Sequence, residues 1–377
     1  MPRRSFRLLT LGLSLGLAAC GGPTAAESID PDRVTLDSIP LGAAKFDTAR
    51  GELVLEMPPI DIPAAVGEHE GMIVTPAVRV DIPWAGFASS VRTEMVDSAG
   101  KIIPPTHIHH VNVIDPQRRE LFAPIALRLY AASKETEAAS FPKRMFGMPL
   151  AQGQRIILKA MLVNETGEAV RGARTRVVFG YSKGGWYWPM RQVYPMQLDV
   201  LFPVGQKDGI KSFDLPPGTF EMKYVAKPAV SGTLLAMGGH LHDLGKFIEF
   251  RDVEANKVIW RGEPVRDSAG RVRSIPIGRF YKWNDLGPDL LANRTYEVRV
   301  VYENPTADTV RFGGMGVVGG VFVPKRGQVW PIVDTADASY RTDLGYQLKD
   351  GNNVGEMAMM HNHGAPRKLA APAPHKH

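Results

Sequence analysis

Two short histidine clusters carry the chemistry legible in this chain: Thr106-His107-Ile108-His109-His110, and Gly239-His240-Leu241-His242-Asp243-Leu244-Gly245-Lys246. Histidine is scarce, ten in 377 residues, and five of the ten fall in these two places, about 130 residues apart. On a β-strand, side chains at i and i+2 leave the same face, so His240 and His242 can converge on one metal ion. In the first cluster His107 and His109 share a face of a regular strand, whereas His109 and His110 point to opposite faces unless the strand bulges. His107 also has a plain reading, that it hydrogen-bonds a turn after Pro104-Pro105. A third group, Glu356-Met357-Ala358-Met359-Met360-His361-Asn362-His363 with His375-Lys376-His377 beyond it, offers thioethers and imidazoles suited to copper, Cu(I) above all. Its plain reading is a disordered, oxidisable tail without ligands, and both stand.

The elements that must position these groups read as strands. Ala77-Val78-Arg79-Val80-Asp81-Ile82 and Tyr296-Glu297-Val298-Arg299-Val300 alternate apolar and charged residues, the pattern of half-buried antiparallel strands. Residues 155–163 and 316–323 are more continuously apolar, as sandwich cores are. A composition of 38 Gly and 30 Pro in a chain 44% apolar is globular and rich in turns, such as Asp97-Ser98-Ala99-Gly100 and Asp267-Ser268-Ala269-Gly270. Helix formers gather only over 133–139, and prolines break anything longer. The fold class is all-β, two consecutive jelly-roll-like antiparallel β-sandwiches, each able to bury its own core. The expected divisions are a leader over 1–19, a linker over 20–30, a first sandwich over 31–200, a connection over 201–215, a second sandwich over 216–325 and an extended tail over 326–377.

The leader sets the expected compartment. Arg3, Arg4 and Arg7 precede an apolar run from Leu8 to Ala18, and Leu17-Ala18-Ala19-Cys20 reads as a lipoprotein cleavage box with Cys20 lipidated. This places the mature chain in a bacterial cell envelope, lipid-anchored to a membrane, facing the periplasm or in the outer membrane. Cys20 is the only cysteine, so no disulfide framework exists. The net charge of +6 includes those three leader arginines and forms no Lys/Arg block, so the chain carries no nucleic-acid footprint. Trp186, Tyr187, Trp188 and Tyr194 read either as core or as a substrate face. Gly313-Gly314-Met315-Gly316 lacks the lysine and helix of a phosphate loop.

Around the second cluster the sequence resembles the copper type II, ascorbate-dependent monooxygenases, the family of peptidylglycine α-hydroxylating monooxygenase and dopamine β-monooxygenase. The resemblance rests on His240-Leu241-His242-Asp243-Leu244-Gly245-Lys246 and on Met315, 73 residues beyond His242. It implies copper held by His240, His242 and Met315 as the centre where oxygen is activated. It also implies a second copper on His109, His110 and a third histidine, fed by an external reductant such as ascorbate. That third histidine does not appear: Met161, in Leu158-Lys159-Ala160-Met161-Leu162-Val163-Asn164, falls where the imidazole is expected. Three readings remain open: Met161 replaces the imidazole, His107 steps in, or the first site is lost.

The function these features imply is a copper-binding envelope lipoprotein, with one or two ions, hydroxylating a C–H bond of a small-molecule or peptide substrate. One alternative is a non-catalytic copper-binding or copper-delivery lipoprotein. Another keeps only the fold, as in a bacterial glycoamidase built of two such sandwiches, and needs a carboxylate pair in a cleft, with Glu249 and Asp252 as candidates.

Overall fold

A computed structural model describes residues 36–64, 73–104, 107–133, 139–164, 166–183, 189–201 and 211–348. The expectations for Cys20 and its leader, for Trp186, Tyr187 and Trp188, and for the Met/His segment after 348 lie outside the described residues.

The chain forms two antiparallel sandwiches in succession, as its alternation implied. In the first, a nine-stranded sheet built around Val170–Lys183 and Gly86–Val96 packs on a five-stranded sheet. The smaller sheet orders Ile73–Val74, Arg155–Leu162, Ile108–Arg119 and Ala126–Ser133 side by side. In the second sandwich a five-stranded sheet runs Tyr194–Asp199, Gly316–Pro324, Gly232–Leu241, Gly278–Arg279. It faces a four-stranded sheet running Gly218–Ala226, Tyr296–Asn304, Gly245–Asp252, Lys257–Gly262. Period-2 burial explains the packing: Val78 and Val80 are buried while Asp81 is exposed, and Val298 and Val300 are buried with Arg299 half-buried between them. The same turn is built twice. Asp97 Oδ1 accepts the amides of Ala99 and Lys101 at 2.9 Å, and Asp267 Oδ1 accepts those of Ala269 and Arg271 at 2.9 Å. Gly100 and Gly270 supply the left-handed backbone, φ 82° and 78°, that the turn requires.

Four expectations are corrected. Tyr194–Asp199, placed in the first sandwich, pairs with Gly316–Pro324 and so belongs to the second, because its apolar side chains Tyr194, Met196 and Leu198 fill that core. Phe213–Leu215, placed in the connection, is a strand paired with Val310–Gly314. The cores are not separate, since Phe122 of the first sandwich packs edge-on against Phe250 and Tyr296 of the second, with centroids 5.9 and 6.2 Å apart.

The stretch after Arg326 is not simply an extended tail, for Ala338–Leu348 is an α-helix capped by Asp337, whose Oδ1 accepts the amides of Ser339 and Tyr340. Tyr340, Leu344 and Leu348, four residues apart, lay an apolar stripe on Ile114 and Ile157, on the outer face of the smaller first-sandwich sheet. Arg128 reaches up from that sheet and grips Asp343 bidentately at 2.6 and 2.5 Å, both side chains buried. The stretch of helix formers over 133–139 is bounded by strands at Ala126–Ser133 and Ala139–Ser140, and residues 134–138 are not described.

Candidate metal site at the sandwich junction

The two histidine clusters meet. His110 of the first sandwich and His240 of the second have ring centroids 6.1 Å apart, His109 and His110 lie at 4.3 Å, and His240 and His242 at 5.3 Å. Two imidazoles bound to one ion through nitrogens about 2.0 Å away hold their centroids about 4.5–6.3 Å apart, so the His240–His242 separation matches a shared ion, the His110–His240 separation matches a near-linear pair, and the His109–His110 rings stand closer than a shared ion would hold them. The rings stand edge-on to one another, at interplanar angles of 79–87°. Among the described residues no three His, Cys, Asp or Glu side chains already form a ligand set, so a metal would have to turn the rings.

Local structure explains why His109 and His110 face together. The pairing of Arg155–Leu162 with Ile108–Arg119 sets Met161 opposite His110 and Leu162 opposite Ile108, which leaves His109 as the extra residue of a β-bulge. A bulge turns neighbouring side chains toward one side. Met161 therefore sits on the cross-strand row of His110, as its first open reading requires. His107 is elsewhere: its ring is buried and its Nδ1 lies 3.2 Å from the carbonyl of Val163, just past the strand Arg155–Leu162, so it bonds that neighbouring segment, while residues 105 and 106 of the expected turn lie outside the described residues.

In the second sandwich, His240 opposes Val317 and Leu241 opposes Gly316, so His242 and Met315 come next to each other where the two strands end. Tyr302 locks them there. Its hydroxyl accepts the His242 amide at 3.1 Å and the Met315 amide at 3.0 Å, and donates to the Met315 carbonyl. Burial pushes the Tyr302 phenol far above its ordinary range, so it keeps that proton. The glycines around Met315 are there for packing: a Cβ on Gly314 would strike the Phe213 ring, and one on Gly316 would strike Val300.

Asp199, which the sequence reading missed, lies two strands from His240 on the same cross-strand row, with Val317 between them. It is fully buried, and that burial raises its carboxyl against the opposing pull of Lys211, at 3.5 Å, and of His240. Nothing in Leu198-Asp199-Val200 announces the role, since only sheet order brings it near a histidine. His240 also lines a cleft of about 620 Å³ between the sandwiches, with Tyr130 and Phe141 on one side and Ile277 on the other.

Other candidates fall away from the site. Glu249 is paired with Arg261 at 2.7 Å and Arg299 at 3.4 Å, and Asp252 with Arg294 at 2.8 Å. Three residues apart on one strand, the two carboxylates take opposite faces and form no cleft pair. Tyr194 is core, stacked on Trp330 with centroids 4.4 Å apart.

No family model matches the chain, and no curated protein matches it in sequence. Among solved structures, the major capsid protein P2 from bacteriophage PM2 aligns over 74% of this chain and 100% of its own at 12% identity, with a TM-score of 0.35. PNGF-II aligns over 74% of this chain and 67% of its own at 10% identity, TM-score 0.34. A chain of Sulfolobus turreted icosahedral virus aligns over 81% and 98% at 11% identity, TM-score 0.29. None is near enough to bear on ligand or activity.

Proposed function

We propose that this chain is a copper-binding protein whose site is assembled at the sandwich junction from His109, His110, His240 and His242, with Met161 and Met315 as thioether donors. The reading continues to O₂- and reductant-dependent hydroxylation of an organic C–H bond. The observation that carries it is the approach of His110 to His240, two scarce residues from different sandwiches brought within 6.1 Å. Imidazole with thioether is a donor set suited to copper in both oxidation states, and bound copper would supply one-electron chemistry toward oxygen. The chain's own part is to hold and shield. Tyr302 fixes the His242 and Met315 backbones, the bulge presents His109 and His110 together, and Asp199 holds a buried carboxyl group on the cross-strand row of His240. The cleft beside His240 offers room for a substrate.

The family resemblance implies two separate centres. Contiguous rings favour one compound site of one or two ions instead, in which the missing third histidine of the first sandwich matters less. The Cys20 leader supports a position on an envelope membrane, and the Met/His segment beyond Leu348 supports the alternative of copper delivery without turnover.

Anaerobic Cu(I) titration of the whole chain carrying Cys20→Ser, read by metal stoichiometry and X-ray absorption, tests this. Nitrogen and sulfur scatterers are expected, and His110→Ala and His240→Ala should each weaken the same ion at least tenfold. Absence of tight copper, or two ions lost independently in the two variants, would overturn the compound site. Ascorbate-driven O₂ uptake by the loaded protein separates hydroxylation from delivery.

A further inference from the structure

The cleft beside His240 has a patch of floor without side chains. Three cross-strand rows of the second sandwich face it: Pro195–Val321–Ala236, then Gln197–Gly319–Gly238, then Asp199–Val317–His240. Two of the three residues in the middle row are glycine, and both line the cleft. Packing does not demand them. A Cβ on Gly319 would meet nothing nearer than the Met196 carbonyl at 4.0 Å, and one on Gly238 would make an ordinary contact with Ile277 at 3.4 Å. Gly232 and Gly316 in the same two strands are different, since a Cβ there would come within 2.2 and 2.3 Å of its neighbours. Backbone conformation does not demand glycine either, for neither Gly238 nor Gly319 has a positive φ. Strand interiors favour β-branched residues, so two facing glycines weaken the sheet and leave bare backbone where something else can lie close.

We propose that the Gly238–Gly319 patch is a substrate seat for a flat, apolar group, an aromatic ring lying on the exposed peptide planes. Ile277, Tyr130 and Phe141 also line the cleft, and its volume of about 620 Å³ is ample for a ring with substituents. Successive cleft-facing residues on a strand are about 7 Å apart, so a ring on this floor lies beside the His240 row. A branched aliphatic group could not lie as close to the peptide planes. Binding of the ring rests on the cleft and its glycine floor together, while its conversion rests on the hydroxylation reading above.

The neutral fluorophore N-phenyl-1-naphthylamine tests the seat when titrated into the whole chain carrying Cys20→Ser. Saturable fluorescence enhancement is expected, weakened at least tenfold by Gly319→Val, with circular dichroism and copper stoichiometry unchanged and a melting temperature no lower than the parent's. Gly319→Ala, a smaller intrusion with clear space for its methyl group, should weaken the dye about threefold and serves if the valine variant fails to fold. Dye affinity equal to the parent's in every folded Gly319 variant, or no saturable binding by the parent, would overturn the seat. Copper measured on the same samples keeps the two readings apart, because loss of copper with the dye site intact counts only against the metal site.

Discussion

Removing one oxygen atom at Tyr302 would cut three hydrogen bonds at once, two accepted from the amides of His242 and Met315 and one donated to the Met315 carbonyl. The ring is fully buried, so Tyr302→Phe keeps the packing and strands those backbone groups. The expected result is a loss of about 1–3 kcal/mol in urea denaturation, together with weaker copper binding, since His242 and Met315 are no longer pinned beside each other. A variant as stable as the parent but still weaker for copper would assign Tyr302 to positioning alone. At this scale residue type singled out His240 and His242, whose rings lie 5.3 Å apart, although His242 stands just past the end of the strand. His107 was not readable, because its partner, the Val163 carbonyl, lies 56 residues away and is set by strand pairing.

The helix Ala338–Leu348 buttresses the sheet that carries His109 and His110, and its anchor is the buried pair Asp343 and Arg128. Asp343→Ala leaves the guanidinium buried and uncompensated, which should cost about 3–5 kcal/mol and show as a lowered melting temperature. Neutral replacement of both partners should recover much of that loss. The helix ends near the candidate site: the Tyr346 carbonyl lies 3.3 Å from Lys159 Nζ, two residues before Met161 on the same strand. Truncation aimed at the Met/His segment must therefore follow Leu348. Cutting at Arg326 would also remove Trp330, which donates to the Arg119 carbonyl at 2.9 Å, and Tyr340, which donates to Pro116 at 2.8 Å. The helix had its signal in the sequence, an Asp337 cap followed by Tyr340, Leu344 and Leu348 at helical spacing. Surrounding strand pattern and nearby proline obscured it.

The sandwiches are joined by Glu120, whose carboxylate accepts the amide of Arg128 in the first at 2.7 Å and that of Gln197 in the second at 3.3 Å. Full burial raises this carboxyl to about 7, with the amides and Arg128 pulling the other way. A raised acid binds its proton more tightly when folded, so its contribution is present below the ordinary glutamate range and is lost as pH climbs through 7. Stability should fall between about pH 4.5 and 7 by at most about 3 kcal/mol on this account, and Glu120→Gln should flatten that slope. Denaturation at a series of pH values checks it, and an unchanged slope in the variant would assign the dependence to other buried acids such as Asp199 or Asp115. By itself the sequence determined the strand-rich fold, the succession of two sandwiches and which scarce side chains were worth watching, because alternation and spacing are local properties of a chain. Only the tertiary structure decided that His110 and His240 adjoin, that Asp199 shares a row with His240, and that Gly238 and Gly319 bare a floor. Those relations depend on sheet order and register between distant strands, which the pattern of any one strand does not encode.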